Sequence, residues 1–153
     1  PSKQVAWVAG EIDVRYLLQS RIIEWWFHPE DNREGAGLEG NPQHDPVYLV
    51  NDMAIRMLPW ALGQAGLSFP GRSIQVDLEG VGEGTWHWGL EPRTSPPQDK
   101  KPDAFINGRG TAFALVAGRR VVADTYLDDG DLVVGGDEAL AIVVLEHLRA
   151  FVE

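Results

Sequence analysis

The sequence has no cysteine among its 153 residues, so it can form no disulfide and has no thiol nucleophile of its own. Basic residues are also scarce: 13 Lys and Arg stand against 23 Asp and Glu, for a formal net charge of −10. Such an acidic chain is a poor partner for phosphate backbones and anionic membranes. No apolar run is long enough to cross a bilayer, and no secretory signal is visible. The sequence therefore predicts a cytoplasmic protein that binds neither nucleic acid nor membranes.

Aromatic and aliphatic residues are concentrated in a first helix, predicted from about Asp13 to Phe27 with Asp13 as its N-cap. The apolar side chains surround nearly the whole helix, which is typical of a helix buried on all sides. The rest of the sequence predicts few helices that could cover it. We therefore expect a partner to cover this helix, either a separate N-terminal bundle fragment or another subunit.

The remaining sequence has the pattern of a mixed α and β domain. A polar, Gly- and Pro-rich linker is followed by a helix over about 46–65, which Pro59 should kink or divide. The period of the apolar residues then changes to two, which predicts a hairpin of strands at 74–78 and 85–90. Shorter elements follow: a strand at 103–107, a helix at 110–117 closed by Gly118, a strand at 132–134 and a final helix at 138–152.

Glu24 and His28 are the residues of the first helix that could carry chemistry. They are four residues apart and share one helix face, as pairs of metal ligands in helix bundles do. A buried ion pair between Glu24 and Arg21 on the same face is the alternative explanation. Pro29 disfavours helical geometry at His28. Asp31 is predicted either to orient the His28 ring or simply to end the helix.

Several motifs resemble one family. Segment 5–31, with Arg21, Glu-x-x-x-His at 24–28 and then Asp31, resembles the last bundle helix of mycothiol-dependent maleylpyruvate isomerase-like proteins. The motifs INGRGTAFALVAGRR (106–120) and LVVGGDEAL (132–140) are similar to the sterol-carrier-like C-terminal domain of that family. The order and spacing of these motifs extend the resemblance over most of the chain.

The resemblance implies an α+β fold in three parts. Residues 1–31 would be the last helix of a DinB-like four-helix bundle, whose other helices lie outside this chain. Residues 32–45 would be a linker. Residues 46–153 would form a small sterol-carrier-like α/β domain with a mainly antiparallel sheet.

The resemblance also implies a chemistry. Glu24 and His28 would be two of three protein ligands to a divalent metal, with zinc as the expected ion and the third ligand outside this chain. Arg21 would contact mycothiol, the thiol co-substrate, whose thiolate the metal favours. Arg119 and Arg120 would act as catalytic residues that hold a substrate carboxylate. The implied activity is that of an isomerase or thiol transferase on a small electrophilic substrate.

Two other interpretations stay open. The chain could be a metal-free descendant of the same scaffold that binds a hydrophobic small molecule or promotes a cyclisation in natural-product metabolism. It could also be a carrier or interaction module without enzymatic activity. The alternative to a substrate role for Arg119 and Arg120 is that they only oppose a helix dipole, as cations at helix ends commonly do.

The metal-dependent interpretation predicts about one divalent metal ion per intact protein, because bound metal needs both ligands of the pair. Glu24→Ala and His28→Ala should each abolish the metal content measured by elemental analysis. An intact protein without metal would contradict this interpretation.

Overall fold

A short antiparallel hairpin precedes the first helix. In the computed structural model, which describes residues 3–7, 10–91 and 100–150, strands β1 (Gln4–Trp7) and β2 (Gly10–Asp13) pair along their length. Helix α1 (Val14–Gly35) follows at once, and the Asp13 carboxylate accepts a hydrogen bond from the Arg15 amide at 2.9 Å. The N-cap prediction is thus confirmed. The hairpin was not predicted, because alternation over four residues is too short to distinguish from chance.

Prolines lie inside both long helices. Helix α1 continues through Pro29, and helix α2 (His44–Gln64) continues through Pro59. The prediction that the first helix ends at Phe27 is therefore wrong. Pro59 was predicted to kink or divide its helix; it does not divide it, and a kink there stays a prediction. A proline removes one helical hydrogen bond and crowds the preceding turn. Buried neighbours such as Phe27 and Leu58 offset that cost by packing in the core.

A four-stranded sheet forms the β layer. Its strand order is β4 (Gly84–Gly89), β3 (Ser73–Glu79), β5 (Ala104–Arg109) and β6 (Leu132–Gly136). Strand β3 pairs antiparallel with β4 and parallel with β5, and β5 pairs antiparallel with β6. The sheet is mainly antiparallel, as predicted.

The remaining helices are α3 (Gly110–Ala117), α4 (Ala123–Asp128) and α5 (Glu138–His147). Helices α2, α3 and α5 contact the sheet. Alternate strand residues pack with these helices in one core, which contains Ile55, Leu58, Ile74, Val76, Ile106, Phe113, Leu132, Val144 and Leu145. The six-residue helix α4 was not predicted, because it buries no residue and so has no apolar face to recognise.

The predicted fold class is confirmed as a mixed α+β fold with a mainly antiparallel sheet. The DinB-like bundle and the division at 31 and 45 stay predictions. Within the described ranges, no helix is both long enough and apolar enough to cross a membrane.

A buried carboxylate joins α1, α2 and β4. Asp52 accepts hydrogen bonds from Arg56 Nε at 2.8 Å, Gln19 Nε2 at 3.2 Å and Trp86 Nε1 at 3.2 Å. Gln19 Nε2 also donates to the Leu49 carbonyl at 2.8 Å. Burial alone would raise the pKa of Asp52, but these donors hold that pKa below its ordinary value of 3.8. The charged carboxylate therefore ties α1 to α2 and to the sheet.

We expect Asp52→Ala to lower the free energy of unfolding by about 2–3 kcal/mol, because it leaves the buried Trp86 indole N–H and one N–H of the Gln19 amide without their acceptor. Urea denaturation followed by tryptophan fluorescence measures this loss. Asp128→Ala, which removes an exposed carboxylate, is the control and should change stability by less than about 0.5 kcal/mol. Equal losses in the two variants would contradict a special role for Asp52.

Candidate functional site

Glu24 forms an ion pair with Arg21. The Arg21 Nη1 and Glu24 Oε2 atoms are 2.8 Å apart, and the two side chains are 70% and 44% exposed. His28 is also exposed. Among the described residues, no group of three or more His, Asp or Glu side chains could hold a metal ion. Glu24 therefore pairs with Arg21, as the alternative predicted, but the pair is exposed and not buried.

His28 lies in regular helix, because α1 continues through Pro29. The prediction that Pro29 would move His28 out of helical geometry is wrong. The neighbouring Trp25 is 80% exposed. This part of α1 is therefore open to solvent in the described structure.

Asp31 forms an ion pair with Arg120, which follows the C-terminal end of α3. Its two oxygens accept hydrogen bonds from Arg120 Nε at 3.0 Å and Nη2 at 2.6 Å. The same guanidinium lies over the Phe27 ring, 4.2 Å from its centroid. Phe27 itself packs where a side chain at position 118 would project, so Gly118 is required for this close approach. Together these contacts hold the C-terminal half of α1 against α3.

Arg119 ends helix α3 in a left-handed conformation, with φ of 61°. The Arg119 amide donates to the Val116 carbonyl and the Arg120 amide to the Leu115 carbonyl, which is the Schellman pattern that normally places glycine at this position. The prediction that Gly118 closes the helix is correct, since it is the C-cap residue, but its φ is −81°.

Arg119 and Arg120 both line a cavity of about 410 Å³ beside α5. Arg119 Nη1 donates to the Glu146 carbonyl at 3.0 Å, near the C-terminal end of α5. One cation therefore caps a helix and the other pairs with Asp31. A substrate role for Arg119 or Arg120 stays a prediction. The contact of Arg21 with mycothiol and the role of Asp31 in orienting His28 also stay predictions.

The outer side of α1 carries exposed apolar residues. Leu18, Ile22 and Trp25 are 59%, 43% and 80% exposed, whereas Ile23 and Phe27 are buried in the core. The prediction of a helix buried on all sides is thus correct for one side of α1 only. The chain covers that side itself, because α2 and the end of α3 supply the packing surface.

An apolar groove of about 370 Å³ lies between α1 and the segment that leads into α2. We call it the α1 groove. Its apolar wall comes from the outer side of α1 and its opposite wall from the start of α2. The lining residues are Ile22, Trp25, Trp26, Pro29, Glu30, Arg33, Asn41, Gln43 and Pro46.

Two hydrogen bonds hold the segment before α2 against α1. The Asn41 amide donates to Glu30 Oε2 at 2.8 Å, and Arg33 Nε donates to the Glu39 carbonyl at 2.8 Å. Both charged side chains of the groove therefore have a structural contact. The indole nitrogen of Trp26, in contrast, is buried and has no hydrogen-bond partner within the described residues.

The opposite wall of the groove was missed in the sequence. Asn41, Gln43 and Pro46 are ordinary loop and helix-start residues, and no local pattern sets them apart. The available signal was on α1. Helix α1 has more large apolar residues than one buried helix face can hold, among them Ile22, Trp25 and Trp26. The surplus indicates an additional apolar contact on its other side.

Comparisons with known proteins find related structures but no related sequence. No family model and no curated protein matches the chain. One similar structure is the apo form of sterol carrier protein 2 from Yarrowia lipolytica, at 12% identity and a TM-score of 0.44, covering 69% of this chain and 91% of that one. Another is a UbiJ-SCP2 ubiquinone synthesis protein, at 16% identity and a TM-score of 0.41, covering 65% and 82%.

Both neighbours are named as sterol carrier protein 2 proteins, the kind of domain predicted for the C-terminal part of the chain. The classification of this chain as a zinc-dependent thiol isomerase is wrong on the described residues, which bring no group of three metal ligands together. Binding of zinc or mycothiol with a third ligand from outside this chain stays a prediction. A glutamate and a histidine four residues apart are too common on helices to identify a metal site without a third ligand.

We expect Asp31→Asn to destabilise the protein by about 1 kcal/mol at pH 7, a value kept small because the pair is partly exposed. Hydrogen bonds from Arg120 hold the pKa of Asp31 below its ordinary value of 3.8, with a further contribution from His28. The stabilisation is therefore present above that ordinary value and is lost as the pH falls through the lower, folded-state pKa. Urea titrations between pH 7 and pH 2.5 measure it.

The exposed Asp129 supplies the control for this titration. Asp129→Asn should follow the wild-type stability across the whole pH range. The wild type and Asp31→Asn should differ less in their free energy of unfolding as the pH falls. A difference that stays constant down to the lowest pH would show that the charged Asp31–Arg120 pair does not stabilise the fold.

Proposed function

We propose that this chain binds a small apolar molecule in the α1 groove and acts as a binding or carrier protein. The exposed position of Trp25 beside Ile22 and Pro29, in a groove of about 370 Å³, carries this proposal. That volume lies within the range of about 300–1,000 Å³ found for small-molecule pockets. Leaving a tryptophan exposed forgoes its hydrophobic stabilisation, which an apolar ligand would restore.

The interpretation as a metal-free scaffold that binds a hydrophobic small molecule fits this groove. The groove needs neither a metal nor a thiol to hold an apolar ligand. Sterol carriers are also named among the structural neighbours, although that distant similarity adds nothing about which ligand is bound. A cyclisation reaction and a cytoplasmic location stay predictions.

A second candidate is a docking face for another chain. Leu18 favours it, because this residue is 59% exposed on α1 and does not line the groove. Three exposed side chains cover only part of the roughly 800 Å² per partner that a stable interface buries. The groove therefore suits a small ligand better than it suits a subunit.

Binding of a neutral apolar fluorophore, N-phenyl-1-naphthylamine, tests the proposal. We expect the wild-type protein to bind it and Trp25→Ala to weaken binding about tenfold, because the substitution removes the largest apolar contact of the groove. Leu18→Ala is the matched control on the same helix and should stay within about twofold of the wild type.

Two outcomes would count against small-molecule binding in the groove. If the wild type does not bind the probe, the proposal fails. If Leu18→Ala and Trp25→Ala weaken binding equally, the whole outer side of α1 is the contact surface, and the docking candidate is favoured instead.

A further inference from the structure

We infer that the α1 groove prefers apolar ligands with a single carboxylate, and that Arg33 receives this carboxylate. The inference rests on the proposed function and specifies its ligand class. It follows from which polar groups of the groove already form hydrogen bonds within the protein and which could still bind a ligand.

The groove offers two hydrogen-bond donors, beside the side-chain amides of Asn41 and Gln43, which can either donate or accept. Trp26 Nε1 is buried without a partner in the part of the chain that the structure describes. Arg33 uses Nε for the Glu39 carbonyl at 2.8 Å, which orients the guanidinium. Within the described residues its terminal nitrogens have no recorded ion pair, although an arginine fork can bind both oxygens of a carboxylate.

The charged acceptor of the groove is already engaged. Glu30 Oε2 accepts the Asn41 amide at 2.8 Å. Glu30 also repels a ligand carboxylate, so the preference depends on contact with Arg33 and not on the overall charge of the groove. The net charge of −10 acts at longer range and is screened beyond about 8 Å at physiological salt.

The positions along α1 fit an amphipathic ligand. Ile22, Trp25, Trp26, Pro29 and Arg33 follow one another at helical spacings of one to four residues on the groove side. The apolar residues come first, and Arg33 lies in the last turn. A volume of 370 Å³ holds roughly 12 non-hydrogen atoms at about 30 Å³ each, so decanoic acid is a suitable probe.

Isothermal titration with decanoic acid and with 1-decanol, below their aggregation concentrations, tests the inference. We expect the wild type to bind the acid more tightly than the alcohol. Arg33→Gln should weaken binding of the acid about tenfold, as loss of a charge-assisted contact does, and leave the alcohol unchanged. Unchanged binding of the alcohol also shows that the variant keeps its groove.

Two more variants sharpen the test. Glu30→Gln keeps an acceptor for Asn41 and removes the repelling charge, so it should strengthen binding of the acid alone. Arg109→Gln, at an exposed arginine paired with Asp131, should bind both probes like the wild type.

The outcomes separate the two proposals. If neither probe binds, the proposed function fails. If both bind equally well and Arg33→Gln affects neither, the groove binds apolar molecules but the carboxylate preference is wrong. If Arg33 only opposes the helix dipole, Arg33→Gln should lower the stability of the protein and should not change the preference for the acid over the alcohol.

Discussion

The Asp52 carboxylate holds two helices and one strand at a single point, and the position of α1 depends on it. Without this acceptor the Trp86 indole N–H and one N–H of the Gln19 amide would be buried and unpaired. A second attachment, between Asp31 and Arg120, fixes α1 near its C-terminal end. Two polar contacts on the same helix determine which side of α1 meets the core. Ile23 and Phe27 are buried as a result, and Ile22 and Trp25 are left outside.

The groove is a consequence of this placement. The segment before α2 returns along the outer side of α1 and is held there by Glu30 and Arg33. It does not cover Trp25, so an apolar surface stays open beside two charged side chains. Hydrophobic side chains that remain exposed in this arrangement contribute little to folding, and we propose that a ligand covers them.

Local patterns were sufficient for most elements of the fold and not for the site. Period-two alternation predicted β3 and β4, and the apolar run at 110–117 predicted α3 to the residue. Contacts between distant residues could not be read in this way. Asp52 looks like any helical aspartate until Trp86 is placed beside it, and Pro46 acquires significance only when α2 packs against α1. The Glu24–His28 spacing cannot by itself establish a metal site for the same reason, since such a site depends on a third group that local spacing cannot supply.

The central claim is that an apolar molecule binds beside α1. Each of the six tryptophans of the chain gives its own indole N–H signal in a two-dimensional ¹H–¹⁵N spectrum, and single Trp→Phe variants assign them. On titration with 1-decanol, we expect the signals of Trp25 and Trp26 to shift while those of Trp60 and Trp88 stay in place. Shifts at Trp60 or Trp88 without any at Trp25 and Trp26 would contradict the account.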